Sequence, residues 1–162
     1  MDFKKCTLNG DLQECIVYDR SGFPLSIFVE NFDEYFQREW GCHWHDAFEC
    51  GIVTRGCANF TIYDGPERTV MRLRQGDGIF IAPGILHSAK GLVPDTVMAV
   101  SVLPSCFFGR RFSPDVCAEI EACTESRSFR ADDPGSRDIL TAPGNSAPFP
   151  GGNRTSNCTG WN

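Results

Sequence analysis

The stretch from Trp40 to Gly56, WGCHWHDAFECGIVTRG, decides how this chain reads. It places His43 and His45 one residue apart and Glu49 after three intervening residues. In extended backbone successive side chains alternate faces, so both imidazoles project to the same side. A second stretch from Gly76 to Gly91, GDGIFIAPGILHSAKG, supplies His87, and with it all 3 histidines of the chain lie within these two stretches. Two imidazoles from one segment, a third from the other and the Glu49 carboxylate form a donor set suited to Fe(II), Mn(II), Ni(II) or Zn(II). Such a set leaves one or two coordination positions open to water or substrate.

Between the two stretches the pattern is that of short antiparallel strands. Ala58, Phe60 and Ile62 alternate with Asn59, Thr61 and Tyr63, which predicts a half-buried strand. Asp64-Gly65 is a hairpin dipeptide. Thr69, Met71 and Leu73 then alternate with Arg68, Arg72 and Arg74, a second strand with a basic, solvated face. After the Gly76 to Gly78 turn come a short apolar run, Ile79 to Ile81, and a longer one, Val97 to Leu103. Earlier in the chain, Cys15 to Tyr18 and Leu25 to Val29 are further candidate strands. Strands this short, with turns this frequent, indicate an antiparallel barrel or sandwich.

The two stretches resemble the paired signatures of the cupin superfamily. His43, His45, Glu49 and Gly56 fall on the first signature, and Gly76, Gly84 and His87 on the second. Four positions depart from it. Gln37 stands where the first signature begins with glycine, Ala82 stands where the second has proline, Pro83 is displaced by one, and Gly91 replaces an asparagine. An isolated H-x-H is most often a surface or hydrogen-bonded pair, since neutral imidazole is versatile; Glu49, Gly56 and His87 at signature spacing favour the metal reading. More particularly, HWHDAFECGIVTRGCANFTI and GDGIFIAPGILHSA are similar to the sensor domain of AraC-type transcription regulators, over about Phe28 to Val102.

That resemblance implies an all-β fold, a cupin-type antiparallel β-barrel of the double-stranded β-helix or jelly-roll kind. It also implies a small polar effector such as a sugar, a homodimer, and DNA contact only through a helix-turn-helix region absent from this chain. The metal ligands it implies are His43, His45, Glu49 and His87, holding one divalent ion of Fe, Mn, Ni or Zn. No residue is assigned a catalytic role. The competing reading is a stand-alone metal-dependent cupin enzyme, a dioxygenase or isomerase, using the same four residues.

Charge and cysteine usage narrow the setting. With 15 basic and 21 acidic residues among 162, the formal charge is −6, opposite to the sign that phosphate neutralisation favours. The 9 cysteines are widely spaced without a CxxC, and the N-terminal sequence MDFKKCTLNGDLQEC has no apolar h-region. Reduced thiols in a cytoplasmic protein are therefore expected, with no membrane span. The chain is expected to divide into a lead-in over 1–24, the barrel over 25–103, a helical appendage over 104–130 and a disordered or truncated tail over 131–162. Ser113 as a cap and Pro114 at the first helical position predict a helix over 114–124. Beyond 131 the sequence is crowded with Pro, Gly, Ser and Asn and has no apolar period.

Overall fold

The computed structural model describes residues 3–18, 24–105 and 126–134 and the single positions Asp115 and Ala118. The strands are β1 (Ser26–Asn31), β2 (Glu39–His43), β3 (Ala47–Arg55), β4 (Cys57–Asp64), β5 (Glu67–Arg74), β6 (Gly78–Ile81), β7 (Leu86–Gly91), β8 (Val97–Pro104) and β9 (Arg127–Phe129). Two 3-10 turns, Phe32–Glu34 and Phe36–Arg38, lead from β1 into β2. A five-stranded sheet has the order β1-β8-β3-β6-β9, and a four-stranded sheet the order β2-β7-β4-β5. Every pairing within these two sheets is antiparallel. This is the double-sheeted cupin architecture that the sequence predicts.

The period-two pattern places the core between the sheets. Ala58 and Phe60 of β4 and Leu73 of β5 are buried, while Arg68, Arg72 and Arg74 face solvent. From the other sheet come Val53, Ile79, Ile81, Met98, Val100 and Val102. Each large side chain removed from water in this way contributes about 1.5–3 kcal/mol. Phe32, Tyr35 and Trp40 join the same core, with Phe32 and Trp40 rings 5.3 Å apart and Tyr35 edge-on to Trp40 at 5.9 Å. Along β3 the inward row reads Ala47, Glu49, Gly51, Val53, so one carboxylate interrupts an otherwise apolar lining.

Several details differ from the expected ones. The hairpin reverses one residue later than Asp64-Gly65: Asp64 pairs with Glu67 across Gly65 and Pro66. Cys15 to Tyr18 forms no strand; Cys15 donates its amide to the Thr7 carbonyl, and the Val17 carbonyl accepts from the Ser26 hydroxyl. Within the stretch expected to be a helical appendage, Arg127–Phe129 is instead a strand, β9, paired with β6. Its sequence has no helical period, and β6 would otherwise present an open backbone edge. Asp77 secures the junction, accepting from the amides of Arg74 at 2.9 Å and Ala131 at 3.0 Å. The helix expected over 114–124 lies outside the described residues apart from Asp115 and Ala118, as does the tail beyond Pro134.

Two of the departures from the cupin signatures acquire a physical explanation. Gln37 has φ of 54°, in the left-handed region where the signature glycine would be at ease. Gly91 is buried where β7 passes beneath Phe32, and a Cβ there would lie 2.7 Å from the Phe32 Cβ. The asparagine of the family signature cannot fit against this aromatic ring. We therefore expect Gln37→Gly to raise stability by about 0.5–1 kcal/mol, relief of strain outweighing the added chain entropy. Gly91→Asn should lower it by roughly 1–3 kcal/mol through overpacking. Thermal and urea denaturation of the two variants measures both, and a gain for Gly91→Asn would contradict the packing described.

Candidate functional site

The four residues singled out by sequence come from both sheets. His43 ends β2 and lies in register opposite His87 of β7. His45 sits in the link that carries the chain from β2 to β3, and Glu49 projects from β3 between Val102 of β8 and Ile81 of β6. The two histidines of the H-x-H share one side, as the alternation requires, with ring centroids 6.0 Å apart. All four side chains are buried; His87 has no exposed surface at all.

Each imidazole is oriented by the backbone in the same way. His43 Nδ1 lies 2.8 Å from the Gly41 carbonyl, His45 Nδ1 3.0 Å from that of Ala47 and His87 Nδ1 2.8 Å from that of Ile85. A carbonyl can only accept, so each Nδ1 carries the proton and each Nε2 is turned inward as the potential ligand atom. One ligand atom from each of the three histidines can be brought within 4.8 Å of the other two. Glu49 Oε2 stands 3.1 Å from His45 Nε2 and 3.9 Å from His87 Nε2. The three imidazoles thus gather at one place, and Glu49 adjoins two of them.

Electrostatics follow from burial and from this crowding. Burial disfavours the charged form of His87 and brings its pKa down to about 4, so its Nε2 offers a lone pair at neutral pH. For His45, burial also opposes charge, but the hydrogen bond and charge of Glu49 outweigh it and raise the pKa. Burial likewise pushes Glu49 up, and the hydrogen bond from His45 with the field of the neighbouring imidazoles overcomes it, leaving the carboxyl below its ordinary value. His87 Nε2 and Glu49 Oε1 are buried and have no hydrogen-bond partner. Two such atoms on neighbouring side chains, each costly to bury alone, fit a shared cation. The donor set and its orphaned atoms therefore match a divalent ion.

Two cysteines near the site are not part of it. Cys50 follows Glu49 on β3 and so takes the opposite, exposed face, and both Cys42 and Cys50 are unbridged thiols with raised pKa. Sequence reasoning missed one residue that is present. Glu14, from the N-terminal lead-in, brings Oε2 to 3.7 Å from His43 Nε2, with its side chain only 8% exposed. No period or motif marks that glutamate, because its approach depends on a long-range contact.

The buried His87 gives a pH signature. Its folded pKa lies below the ordinary imidazole value of 6.5, so the stability linked to its neutral form is complete above 6.5 and is lost as pH falls toward about 4. In chelator, His87→Asn should flatten the fall of unfolding free energy over that window by on the order of 3 kcal/mol. An unchanged acid limb in denaturant titrations would contradict the assignment.

The family model for the AraC-like ligand-binding domain matches residues 32–91. YdeC, an HTH-type transcriptional regulator of Bacillus subtilis (strain 168), is 24% identical over 87 residues, which are 54% of this chain and 28% of YdeC. Among solved structures, vicilin from Corylus avellana (hazelnut) aligns at a TM-score of 0.42 with 16% identity, over 66% of this chain and 26% of vicilin. Oxalate decarboxylase from Bacillus subtilis aligns at 0.39 with 19% identity, over 52% of this chain and 25% of the enzyme. The chain spans about a quarter of the length of these relatives. Among the described residues, no helix is long and apolar enough to cross a membrane. The two-sheet fold and the pair of signatures thus lie in a chain whose residues 32–91 match the AraC-like ligand-binding domain.

Proposed function

We propose that this chain is the small-molecule-sensing and dimerisation module of an AraC-type transcription regulator, acting in the cytoplasm, with DNA contact made by a region outside it. The observation that carries the proposal is the polar cluster of His43, His45, Glu49 and His87, sealed inside the domain that matches the AraC-like ligand-binding family. Buried polar atoms left without partners destabilise a fold, so a cluster of this kind calls for an occupant. His43, His45, Glu49 and His87 would hold one divalent ion, Fe, Mn, Ni or Zn. A bound ion of this class supplies a Lewis-acidic position at which a hydroxyl or carbonyl oxygen of a small polar effector can sit.

The chain's own residues do the rest. The carbonyls of Gly41, Ala47 and Ile85 fix the three rings, and Ile81 and Val102, the buried strand neighbours of Glu49, keep its surroundings apolar. A low-dielectric setting strengthens each polar contact to an effector. Because the cluster joins strands of both sheets, its occupancy is positioned to shift how the sheets pack, and through them the contact between two protomers. The alternative, a stand-alone metal-dependent dioxygenase or isomerase, is favoured by the same three-histidine, one-carboxylate donor set.

Metal analysis of protein purified without chelator tests the shared premise. His43→Ala should cut bound metal sharply, while Arg72→Ala, on the solvent face of β5, should leave it unchanged. Equal metal content in the two variants would refute the site. A separate expectation concerns DNA: at physiological salt this acidic chain alone should give no sequence-specific retardation of a promoter fragment. Specific retardation would show that recognition resides in the barrel-bearing chain itself.

A further inference from the structure

The N-terminal segment is fastened to the link that bears the histidines. Asn9 folds a turn, its Oδ1 accepting from the amides of Asp11 at 2.9 Å and Gln13 at 3.0 Å. The segment then runs parallel to Trp44: the Trp44 amide donates to the Leu12 carbonyl at 3.1 Å and the Glu14 amide to the Trp44 carbonyl at 2.8 Å. The Trp44 indole N–H donates to the Asp11 carbonyl at 2.9 Å, adding a third tie. Farther back, Lys4 bridges to Glu30 and Glu34, and its amide donates to the Glu34 carbonyl. Trp44 is the residue between His43 and His45, so the register that holds it also sets where Glu14 lies.

Glu14 Oε2 is 3.7 Å from His43 Nε2, and Glu49 Oε2 is 3.1 Å and 3.9 Å from the Nε2 atoms of His45 and His87. Metal bonds of roughly 2.0–2.2 Å place adjacent donors at right angles about 3 Å apart. The Glu14 contact thus falls in the same range as those of Glu49, and it reaches the cluster at His43, whose ligand atom lies within 4.8 Å of that of the orphaned His87. Three neutral imidazoles and two carboxylates would also balance the charge of a divalent ion, whereas two buried carboxylates without one repel each other.

Resting on the reading of the histidine cluster as a metal site, we propose that Glu14 is a further carboxylate ligand, so that filling the site clamps the N-terminal segment onto the barrel. Glu14 would add a second carboxylate to the donor set and so would leave fewer positions for an oxygen ligand from outside the chain. The segment becomes a reporter of occupancy, because its seating and the ion share one side chain.

Calorimetric titration of the wild-type chain, Glu14→Gln and Gln13→Ala with Mn(II), Ni(II) and Zn(II), combined with hydrogen exchange at the Glu14 and Trp44 amides, tests this. The expected result is that metal slows exchange at both amides in the wild type. Glu14→Gln should bind about tenfold more weakly or worse and lose that slowing. Gln13→Ala, which removes the side-chain contact to Asn9 in the same turn, should bind as the wild type does. Wild-type affinity and slowing in Glu14→Gln would overturn the role of Glu14 while leaving the histidine site standing. Equal weakening by Gln13→Ala would likewise overturn it, reducing the effect to loosening of the turn. Absence of binding by the wild-type chain to any of the three ions would overturn both readings.

Discussion

Three hydrogen bonds from imidazole Nδ1 to backbone carbonyls, those of Gly41, Ala47 and Ile85, govern the interior of this protein. Each acceptor lies two residues from its histidine, so the bond is written into the local strand geometry and needs no other side chain. With Nδ1 committed, the second nitrogen of each ring is forced inward, and three ligand atoms gather within 4.8 Å. Had the rings been free to flip, they could have satisfied themselves individually. Held in place, they leave His87 Nε2 unpartnered in the core, and that unsatisfied atom is the strongest physical sign that the barrel is built around something.

The rest of the fold can be understood as the frame for that arrangement. His43 and His87 are contributed by neighbouring strands of the smaller sheet, Glu49 by the centre of the larger one, and His45 by the link between them. Apolar packing of Phe32, Trp40, Phe60 and Met98 holds the sheets face to face. The ion pair of His45 and Glu49 survives burial because each partner supplies what the other lacks: their mutual attraction raises one pKa and lowers the other against the cost of desolvation. A group that removed one partner would leave a buried charge uncompensated, which is more damaging than never having had the pair.

Much of this was legible in the residues. Alternation in Ala58 to Tyr63 and the H-x-H spacing both depend on the two-residue period of extended chain, so the strands and the shared side of His43 and His45 were readable from them. The strand β9 was not legible, since Arg127–Phe129 is short and its pairing depends on the open edge of β6 rather than on its own sequence. Glu14 was hidden for a similar reason: an acidic residue in an irregular lead-in has no local signal, and only its backbone pairing to Trp44 brings it to His43. Gln37 and Gly91 first appeared as blemishes in a family signature. In the fold one is a strained left-handed residue and the other the only side chain small enough to pass beneath Phe32.

The measurement that bears most directly on the account is X-ray absorption at the metal edge, recorded on the wild-type chain loaded with a single equivalent of Zn(II) or Mn(II). The account predicts multiple scattering from three imidazole rings, together with carboxylate oxygen, in a shell at roughly 2.0–2.2 Å. A spectrum fitted by water oxygens alone, or by thiolate sulfur near 2.3 Å, would contradict it.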